Sequence, residues 1–303
     1  MSYKICSIGE CMIELTNIDN KKYSLSVAGD TLNFCFYLNK ELFKVFYFTA
    51  IGNSDISKEA LIFFQKNNIN TQLVHKDLSN EIGLYIIKNK KSGEKKFYYW
   101  RDNSAAKYYL NNLKLKKISK KIYNFDFLYL TGITLSLIEK KNINNLIDFI
   151  NFCKSKNCKI IFDLNLRIKR WNKKDLLSFF KKILLKVDIL FASGEDIKLW
   201  KGNDNIITFL NIIKKNKISH GIYRKNAKYN YSFLNKNKYV VQNKILNKVV
   251  DTSGAGDGYN AAYLNNFIQT NDPKKALKAA SKIGAKIIMK KGAIVDVKEN
   301  NRT

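Results

Sequence analysis

The stretch Val249-Val250-Asp251-Thr252-Ser253-Gly254-Ala255-Gly256-Asp257-Gly258-Tyr259 decides the interpretation of this chain. Two β-branched residues indicate the end of a strand, and the small residues after them predict a loop that leads into a helix over residues 258–267. Because residues 254–256 carry almost no side chain, the main-chain N–H groups of such a loop can converge on an anion. Asp257 follows in the first turn of the helix. A phosphate cradle beside a carboxylate base is the layout that phosphoryl transfer to a hydroxyl needs. The alternative is an ordinary glycine turn between a strand and a helix.

Length and composition favour a globular α/β protein. The chain has 303 residues, of which 46% are hydrophobic, enough for one large α/β domain with or without a small appendage. No uninterrupted apolar segment approaches the length of a membrane span. Residues 1–8 run directly into a strand, with neither a charged leader nor a small-residue cleavage site. We therefore expect a cytoplasmic protein without a membrane segment.

Cysteine content and charge exclude some further classes. Five cysteines and two histidines form no C-x-x-C pair and no zinc pattern, so we predict reduced thiols and no protein metal site. The net charge of +29 (54 basic against 25 acidic residues) would suit a nucleic-acid binder. The lysines are, however, spread over the whole chain rather than gathered in one tail or stripe. Drift toward A/T-rich codons explains this pattern better than selection for a nucleic-acid partner does.

Hydrophobic periodicity predicts strands that alternate with helices, which is typical of a parallel sheet covered on both faces. A polar turn at residues 89–93 between two further strands predicts a hairpin that interrupts this alternation. We therefore predict one domain over residues 1–303, a doubly wound and mostly parallel sheet flanked by helices, with a small β lid from about residues 10–35 and 80–105. The predicted strands are 3–8, 45–50, 83–87, 95–101, 127–131, 159–163 and 189–192, and the predicted helices are 31–42, 58–67, 140–155 and 174–186.

A second strand end carries a polar set. Ligands of open parallel sheets bind beyond the carboxyl ends of the strands. In the stretch 160–167, a period of two places Asp163, Asn165 and Arg167 on one side if the strand extends that far. The alternative is a solvated strand end that caps the next helix.

The predicted hairpin offers a set suited to a sugar acid. Alternation places Phe97, Tyr99 and Arg101 on one face, which Tyr85 of the other strand can share. A guanidinium can grip both oxygens of a carboxylate, and phenols bond hydroxyls or a keto group. Aromatic residues in a hairpin otherwise pack against a core or another subunit. The outer face of the lid, with Tyr98 and Trp100, predicts a lid-mediated dimer.

These motifs together resemble the ribokinase-like (PfkB) carbohydrate kinases, whose signature has the form D-T-x-G-A-G-D. Within that superfamily, the chain is similar to bacterial 2-keto-3-deoxygluconate kinases along nearly its whole length. The stretches that carry this likeness are Ile8-Gly9-Glu10-Cys11-Met12-Ile13-Glu14-Leu15, Gly29-Asp30-Thr31-Leu32-Asn33, Gly93-Glu94, Phe97-Tyr98-Tyr99-Trp100-Arg101, Ser104-Ala105-Ala106, and residues 163–167 with Trp171.

The resemblance implies ATP-dependent phosphorylation of the terminal hydroxyl of 2-keto-3-deoxygluconate with Mg²⁺, and an oligomeric protein. It implies that Asp257 is the base and that Gly254, Ala255 and Gly256 form the anion hole. For the sugar acid, it implies contacts from Gly29, Asp30, Asn33, Tyr85, Tyr99, Arg101 and Arg167. For the nucleotide, it implies contacts from Asn165, Arg167, Ser193, Arg224, Lys225, Gly254, Gly256 and Gly292.

The chain departs from the family pattern at three places. Residues 223–228 lack the glycine of a K-x-G-type turn, so nucleotide contacts there are in question. Ser193-Gly194-Glu195-Asp196 replaces an N-x-x-E element linked to Mg²⁺ and phosphate, and Ile168 replaces a common proline. Two alternative functions follow: a fructokinase- or ribokinase-like enzyme for a neutral sugar, or a non-catalytic binder of sugar or nucleic acid.

Overall fold

The computed structural model of the chain describes residues 2–19, 21–89, 95–113, 124–167, 173–226, 228–244, 246 and 249–297. The strands are β1 (Tyr3–Ile8), β2 (Met12–Asn17), β3 (Tyr23–Ala28), β4 (Phe43–Ile51), β5 (Ile69–Asn70), β6 (Val74–Lys76), β7 (Gly83–Asn89), β8 (Lys95–Trp100), β9 (Phe127–Thr131), β10 (Lys159–Asp163), β11 (Ile189–Ser193), β12 (His220–Lys225), β13 (Tyr229–Leu234) and β14 (Asn237–Gln242). The helices are α1 (Asp30–Tyr37), α2 (Asp55–Lys66), α3 (Ala105–Asn111), α4 (Gly132–Ser136), α5 (Ile143–Ser155), α6 (Lys173–Leu184), α7 (Gly194–Lys201), α8 (Ile206–Lys215), α9 (Ala255–Thr270) and α10 (Pro273–Ile288), with a 3-10 turn at Lys140–Asn142. None of the helices in these ranges is both long and apolar enough to cross a membrane.

The large sheet has the order β14-β13-β12-β11-β10-β9-β1-β4-β5, and β6 pairs with the far end of β4. Its strands are parallel from β12 to β5, whereas β13 and β14 add an antiparallel edge. Alternate residues of each central strand enter two separate hydrophobic clusters: in β10, Ile160 and Phe162 join one and Ile161 the other. Helices α3 to α8 cover the first face, and α1, α2, α9 and α10 cover the second. The predicted doubly wound, mostly parallel sheet is confirmed.

The small sheet has the order β3-β2-β7-β8, in which β2 and β7 are parallel and the outer pairs are antiparallel. The predicted hairpin is confirmed as β7 and β8, with Tyr85 opposite Tyr99. Of the other predicted features, residues 90–93 of its polar turn, Glu94, Ile168, Trp171 and Ala227 lie outside the described residues.

The predicted strand before the signature is wrong. Val249 and Val250 are 53% and 45% exposed and lie in a loop. The N–H groups of Val250 and Asp251 both donate to the Ile288 carbonyl at the end of α10, over 2.7 and 3.1 Å, so this backbone pairs with a helix end rather than with the sheet. Helix α9 also begins earlier than predicted, at Ala255.

Two other helix boundaries differ from the prediction for local reasons. Helix α1 ends at Tyr37 rather than at residue 42, because the Lys40 ammonium group closes it by donating to the carbonyls of Cys35, Phe36 and Leu38. Helix α2 begins at Asp55, three residues before the predicted start, directly after the extended residue Ser54.

Candidate active site

The predicted site lies at the carboxyl edge of the large sheet. Thr131, Asp163 and Ser193 are the last residues of β9, β10 and β11, and Arg224 is the next-to-last residue of β12. The amino ends of α1 and α9 contact this edge through side-chain hydrogen bonds. In a doubly wound sheet this edge is where ligands bind.

The anion loop depends on the backbone of Gly254. This residue caps α9 with φ +70°, in the left-handed region that favours glycine. A Cβ at this position would lie 2.9 Å from the carbonyl carbon of Ala293, so the loop also needs glycine for its close approach to that segment. No side chain caps the first turn of α9: the Ala255 N–H makes only a long bond of 3.4 Å to the Thr252 carbonyl, and the N–H groups of Gly256 and Asp257 have no intrahelical acceptor. They can therefore bind an anion at the positive end of the helix dipole.

Asp257 lies in the first turn of α9 and its side chain is only 8% exposed. Its Oδ2 accepts a hydrogen bond from Asn33 Nδ2 over 2.8 Å, which fixes the carboxylate beside α1. Burial raises the pKa of Asp257 well above its usual range, and the negative charge of Asp30 adds to this rise. A carboxylate destabilised in its charged form takes up a proton more readily, as a general base must.

Asp30 begins α1 and faces the same space. Its Oδ2 accepts from Thr131 Oγ1 over 2.6 Å and from Asn165 Nδ2 over 3.2 Å. Burial raises the pKa of Asp30, while the charges of Arg101 and Arg167 act in the opposite direction. The predicted residues Asp30, Asn33, Asn165 and Asp257 are therefore brought together in one cluster, with hydrogen bonds or charge interactions joining its members.

The coupling of these two carboxylates gives a prediction for the pH dependence of activity. A general base must be ionised to act, so in that role Asp257 should make kcat/KM rise with pH through its pKa. Asp30→Asn removes a negative charge that raises this pKa, and the acid limb of the profile should therefore move to lower pH. The measurement is kcat/KM against pH for both proteins, with Asp55→Asn on the exposed start of α2 as control. If the acid limb of Asp30→Asn stayed at the same pH or moved to higher pH, that result would contradict the coupling of the two carboxylates.

The condition for the period-two arrangement of residues 163–167, a strand that extends to Arg167, is not met. Strand β10 ends at Asp163, and Asn165 has φ +30°, so the backbone turns before alternation can place the three side chains on one side. Asn165 instead reaches Asp30, whereas Arg167 is exposed and its Nη1 donates to the Leu166 carbonyl over 3.1 Å.

Asp163 belongs to a network below the anion loop. Its Oδ2 accepts from Asn260 Nδ2 over 2.8 Å, and its Oδ1 is buried without a hydrogen-bond partner among the described residues. Burial raises the pKa of Asp163 to about 7, against the lowering effect of Arg224, whose Nη2 lies 3.9 Å from Oδ1.

Arg224 links β12 to the first turn of α9. Its Nη1 donates to the Gly256 carbonyl over 3.1 Å and to Asn260 Oδ1 over 2.7 Å, and its Cζ lies 5.3 Å from the centroid of the Tyr259 ring. A guanidinium group is thus fixed directly behind the anion loop. A cation at this place is suited to stabilising negative charge on a phosphate bound at the loop.

The 223–228 turn, which lacks glycine, has an asparagine in the left-handed conformation. Asn226 has φ +53°, the left-handed conformation that asparagine tolerates better than other non-glycine residues. The turn can therefore form without glycine.

A cavity of about 510 Å³ lies next to this turn and to α9. Its lining includes Arg224, Gly256, Tyr259, Lys278 and Lys282, so cations and an aromatic ring border it. Of the predicted nucleotide contacts, all of them described residues, Arg224 and Gly256 line this cavity, and the following do not: Asn165, Arg167, Ser193, Lys225, Gly254 and Gly292. Gly292 has φ +100°, and its N–H donates to Asp251 Oδ2 over 2.9 Å, which holds the segment after α10 beside the signature loop.

The Ser193–Asp196 element forms a capping box for α7. The Asp196 N–H donates to Ser193 Oγ over 3.1 Å, and the Ser193 N–H donates to Asp196 Oδ2 over 2.9 Å. Asp196 Oδ1 accepts from the Leu166 N–H over 2.8 Å. This carboxylate therefore fixes the loop after β10 against α7.

On the lid, Tyr85 and Tyr99 share one face as predicted, with ring centroids 5.7 Å apart. Tyr85 is buried and its hydroxyl donates to Glu14 Oε2, whereas Tyr99 is half exposed. Arg101, predicted to bind a substrate carboxylate, is buried, and its guanidinium is ion-paired with Glu10. Its Nε has no hydrogen-bond partner among the described residues.

Sequence reasoning missed several polar residues of the site. Asn260 lies one helical turn after Gly256, and this spacing on α9 is the signal that would have found it. Glu10 and Glu14 lie within a quoted motif, but no sequence pattern pairs them with residues about 70–95 positions away in the chain.

Comparison with known proteins agrees with this geometry. A family model described as pfkB family carbohydrate kinase matches residues 2–300, so the chain belongs to that family. It is 33% identical over 302 residues to a 2-dehydro-3-deoxygluconokinase of Haemophilus influenzae (97% of this chain, 96% of that protein). It is 29% identical over 300 residues to one of Dickeya dadantii (96% of each chain).

Solved structures show the same fold. The crystal structure of a 2-dehydro-3-deoxygluconokinase of Thermotoga maritima superposes with a TM-score of 0.81 at 22% identity, covering 97% of this chain and 95% of that one. An aminoimidazole riboside kinase of Salmonella enterica, solved with aminoimidazole riboside and an ATP analog, gives 0.79 at 17% identity, covering 96% and 94%. The ribokinase-like fold predicted from the sequence is confirmed.

Proposed function

We propose that this carbohydrate kinase transfers the γ-phosphoryl group of ATP to the terminal hydroxyl of 2-keto-3-deoxygluconate. The single observation that carries the reaction type is the first turn of α9, where Asp257 lies beside main-chain N–H groups that no side chain caps. The relatives named 2-dehydro-3-deoxygluconokinase, similar over nearly the whole chain, support the substrate.

In this proposal Asp257 removes the proton of the terminal hydroxyl as its oxygen attacks the γ-phosphorus atom. Asn33 holds the carboxylate in place, and Asp30 makes it a stronger base. The N–H groups of residues 255–257 and the helix dipole stabilise charge that develops on the transferred group. Gly29, Asp30 and Asn33 bind sugar hydroxyls.

The nucleotide fits the cavity beside α9. Its phosphates would reach Gly254 and Gly256 with Arg224 behind them, while Asn165, Arg167, Ser193, Lys225 and Gly292 stay proposed contacts. Mg²⁺ is usually held by one or two carboxylates together with substrate phosphates. Asp163 fits that role because its buried Oδ1 has no hydrogen-bond partner among the described residues. When bound, the ion would neutralise phosphate charge.

The acid end of the substrate needs an accessible cation. Arg167 fits because it is exposed at the carboxyl edge and close enough to Asp30 to lower the pKa of that carboxyl. Arg101 supplies a second cation whose charge Glu10 balances, with Nε left to donate.

Arg167→Ala should separate acid from neutral substrates. Loss of a charge-assisted hydrogen bond to a carboxylate should raise KM for the keto-deoxy acid by roughly 10-fold or more and leave KM for fructose nearly unchanged. Steady-state kinetics with ATP and Mg²⁺ measures both. Lys66→Ala, an exposed cation in the last turn of α2, controls for the loss of one positive charge. An equal change for both substrates would contradict the role of Arg167.

One observation favours the second candidate, a fructokinase- or ribokinase-like enzyme for a neutral sugar. The Glu10 carboxylate neutralises Arg101, so the lid presents less net positive charge than a carboxylate site would use. Preferential phosphorylation of fructose or ribose would establish this candidate.

We also propose a lid-mediated dimer in the cytoplasm, where ATP is available, and no nucleic-acid partner. Trp100 and Leu25 of the lid are exposed and apolar, which supports the dimer. Sedimentation of the wild type and of Trp100→Glu would test it.

A further inference from the structure

A row of polar side chains crosses the lid on the face that meets the active-site segment. Ser26, Glu14, Tyr85 and Tyr99 lie opposite one another on the four strands in turn. Neighbours on the same face, among them Met12 and Ile87, pack with Tyr85 against Ala293, the residue that Gly254 closely approaches. This face of the lid therefore looks toward the anion loop.

Glu14 is a buried carboxylate, 4% exposed, at the centre of this row. Its Oε1 accepts from Thr16 Oγ1 over 3.1 Å and from Ser26 Oγ over 3.2 Å, and its Oε2 accepts from the Tyr85 hydroxyl. A phenol has one proton, and an ionised carboxylate can only accept. The Tyr85 hydroxyl therefore donates its only proton to Glu14 and presents lone pairs to anything else.

The charges around Tyr85 also favour its role as a hydrogen-bond acceptor. Besides burial, the negative charges of Glu14 and Asp251 raise the pKa of the Tyr85 phenol above its usual range. Negative charges around the phenol repel a substrate carboxylate and attract the proton of a substrate hydroxyl. Tyr85 is therefore unsuited to the keto-acid end, to which the family resemblance assigned it.

We infer that Glu14 is a positioning residue that fixes Tyr85 as a hydrogen-bond acceptor for a secondary hydroxyl of the sugar acid. This inference rests on the proposed function for the identity of the ligand. It places the polyol part of the substrate under Tyr85 and leaves the carboxylate to the cations at the sheet edge.

A double-mutant cycle tests the inference. The dissociation constant of 2-keto-3-deoxygluconate is measured by calorimetry without nucleotide for the wild type, Glu14→Gln, Tyr85→Phe and the double variant. Each single change should weaken binding roughly 10-fold, the effect of about one lost hydrogen bond. In Glu14→Gln the side-chain amide can donate a hydrogen bond to the Tyr85 oxygen, so that the phenol proton points to the ligand instead of its lone pairs. The double variant should bind as weakly as Tyr85→Phe alone, because Glu14 acts through Tyr85. Ser24→Ala, a lid hydroxyl that bonds main chain instead, is the control.

A purely structural role for Glu14 would give additive effects in the cycle, and that result would overturn the inference. If Glu14→Gln does not fold, Tyr85→Phe is compared with the wild type on the substrate and on its 4-deoxy and 5-deoxy analogues. The wild type should discriminate against one analogue by roughly 10-fold, and Tyr85→Phe should not. Equal discrimination by both proteins would also overturn it.

Different results would contradict the proposed function and the role of Glu14. A protein that binds the acid with a non-additive cycle but transfers no phosphoryl group contradicts the proposed function alone. An active kinase with an additive cycle contradicts the role of Glu14 alone. A wild type that binds no sugar acid overturns both.

Discussion

Asp257→Asn should lower kcat by at least about 10²-fold, the scale of a lost general base. The amide cannot accept the proton of the attacking hydroxyl, while its oxygen can still accept from Asn33. Binding of the sugar acid should therefore largely survive. Turnover and calorimetric binding measure the two effects, and a near-normal rate would remove Asp257 from the role of base.

The same substitution should stabilise the protein. Burial, with Asp30, raises the folded-state pKa of Asp257 above its unfolded value. Such a group contributes stability that is fully present below the unfolded pKa and is lost as the pH rises through the folded pKa. Above the folded-state pKa the ionised carboxylate is therefore a cost, which the uncharged amide removes, so the comparison is made at a pH above that value. We expect the melting temperature to rise by about 2 °C or more, the shift for roughly 1 kcal/mol in a domain of this size.

Asp55→Asn is the matched control for both effects. It makes the same change in the first turn of α2, where the carboxylate is fully exposed and pairs only with Lys58. Exposed pairs of this kind contribute little, so neither rate nor melting temperature should change. A lower melting temperature for Asp257→Asn than for this control would contradict the account of its burial.

Gly254→Ala should abolish most activity for a different reason. The new Cβ would stand 2.9 Å from the carbonyl carbon of Ala293 and would hold φ +70° at a cost of about 1–2 kcal/mol. Either the segment after α10 or the first turn of α9 must move. Displacing donors from the developing charge costs about 10²–10³-fold in kcat.

Gly202→Ala separates the clash from the backbone strain. Gly202 ends α7 with φ +82°, and a Cβ there would meet nothing within 4 Å. This variant should lose about 1 kcal/mol of stability and keep its activity. Equal losses of kcat in the two variants, measured on folded protein, would show that the geometry of the anion loop is not what matters.

The fold was predictable where the pattern is local. The strands β9, β10 and β11 are short apolar runs bounded by polar residues, and the hairpin of β7 and β8 has a polar turn between alternating strands. The two valines before Asp251 led to a wrong strand prediction, because β-propensity does not show whether a strand of the sheet is available for the segment to pair with. That backbone bonds the end of α10, which the sequence places some 40 residues later.

Which residues belong to the candidate site was easier to predict from the sequence than which ion pairs and hydrogen bonds they form. The anion loop and Asp257 follow from small residues before a helix. The pairing of Arg101 with Glu10, and of Tyr85 with Glu14, depends on strands distant in sequence and lying side by side in the lid. The family resemblance put nucleotide contacts at residues 223–228 in question because the stretch lacks glycine, whereas the structure has a left-handed residue there in Asn226.

The most direct test of the account is a competition assay. Equal concentrations of 2-keto-3-deoxygluconate, fructose and ribose are incubated with the protein, Mg²⁺ and limiting ATP, and ³¹P NMR identifies the phosphorylated products. We expect the phosphoryl group mainly on the terminal hydroxyl of the keto-deoxy acid. Phosphate found mainly on fructose or ribose, or ATP left unconsumed, would contradict it.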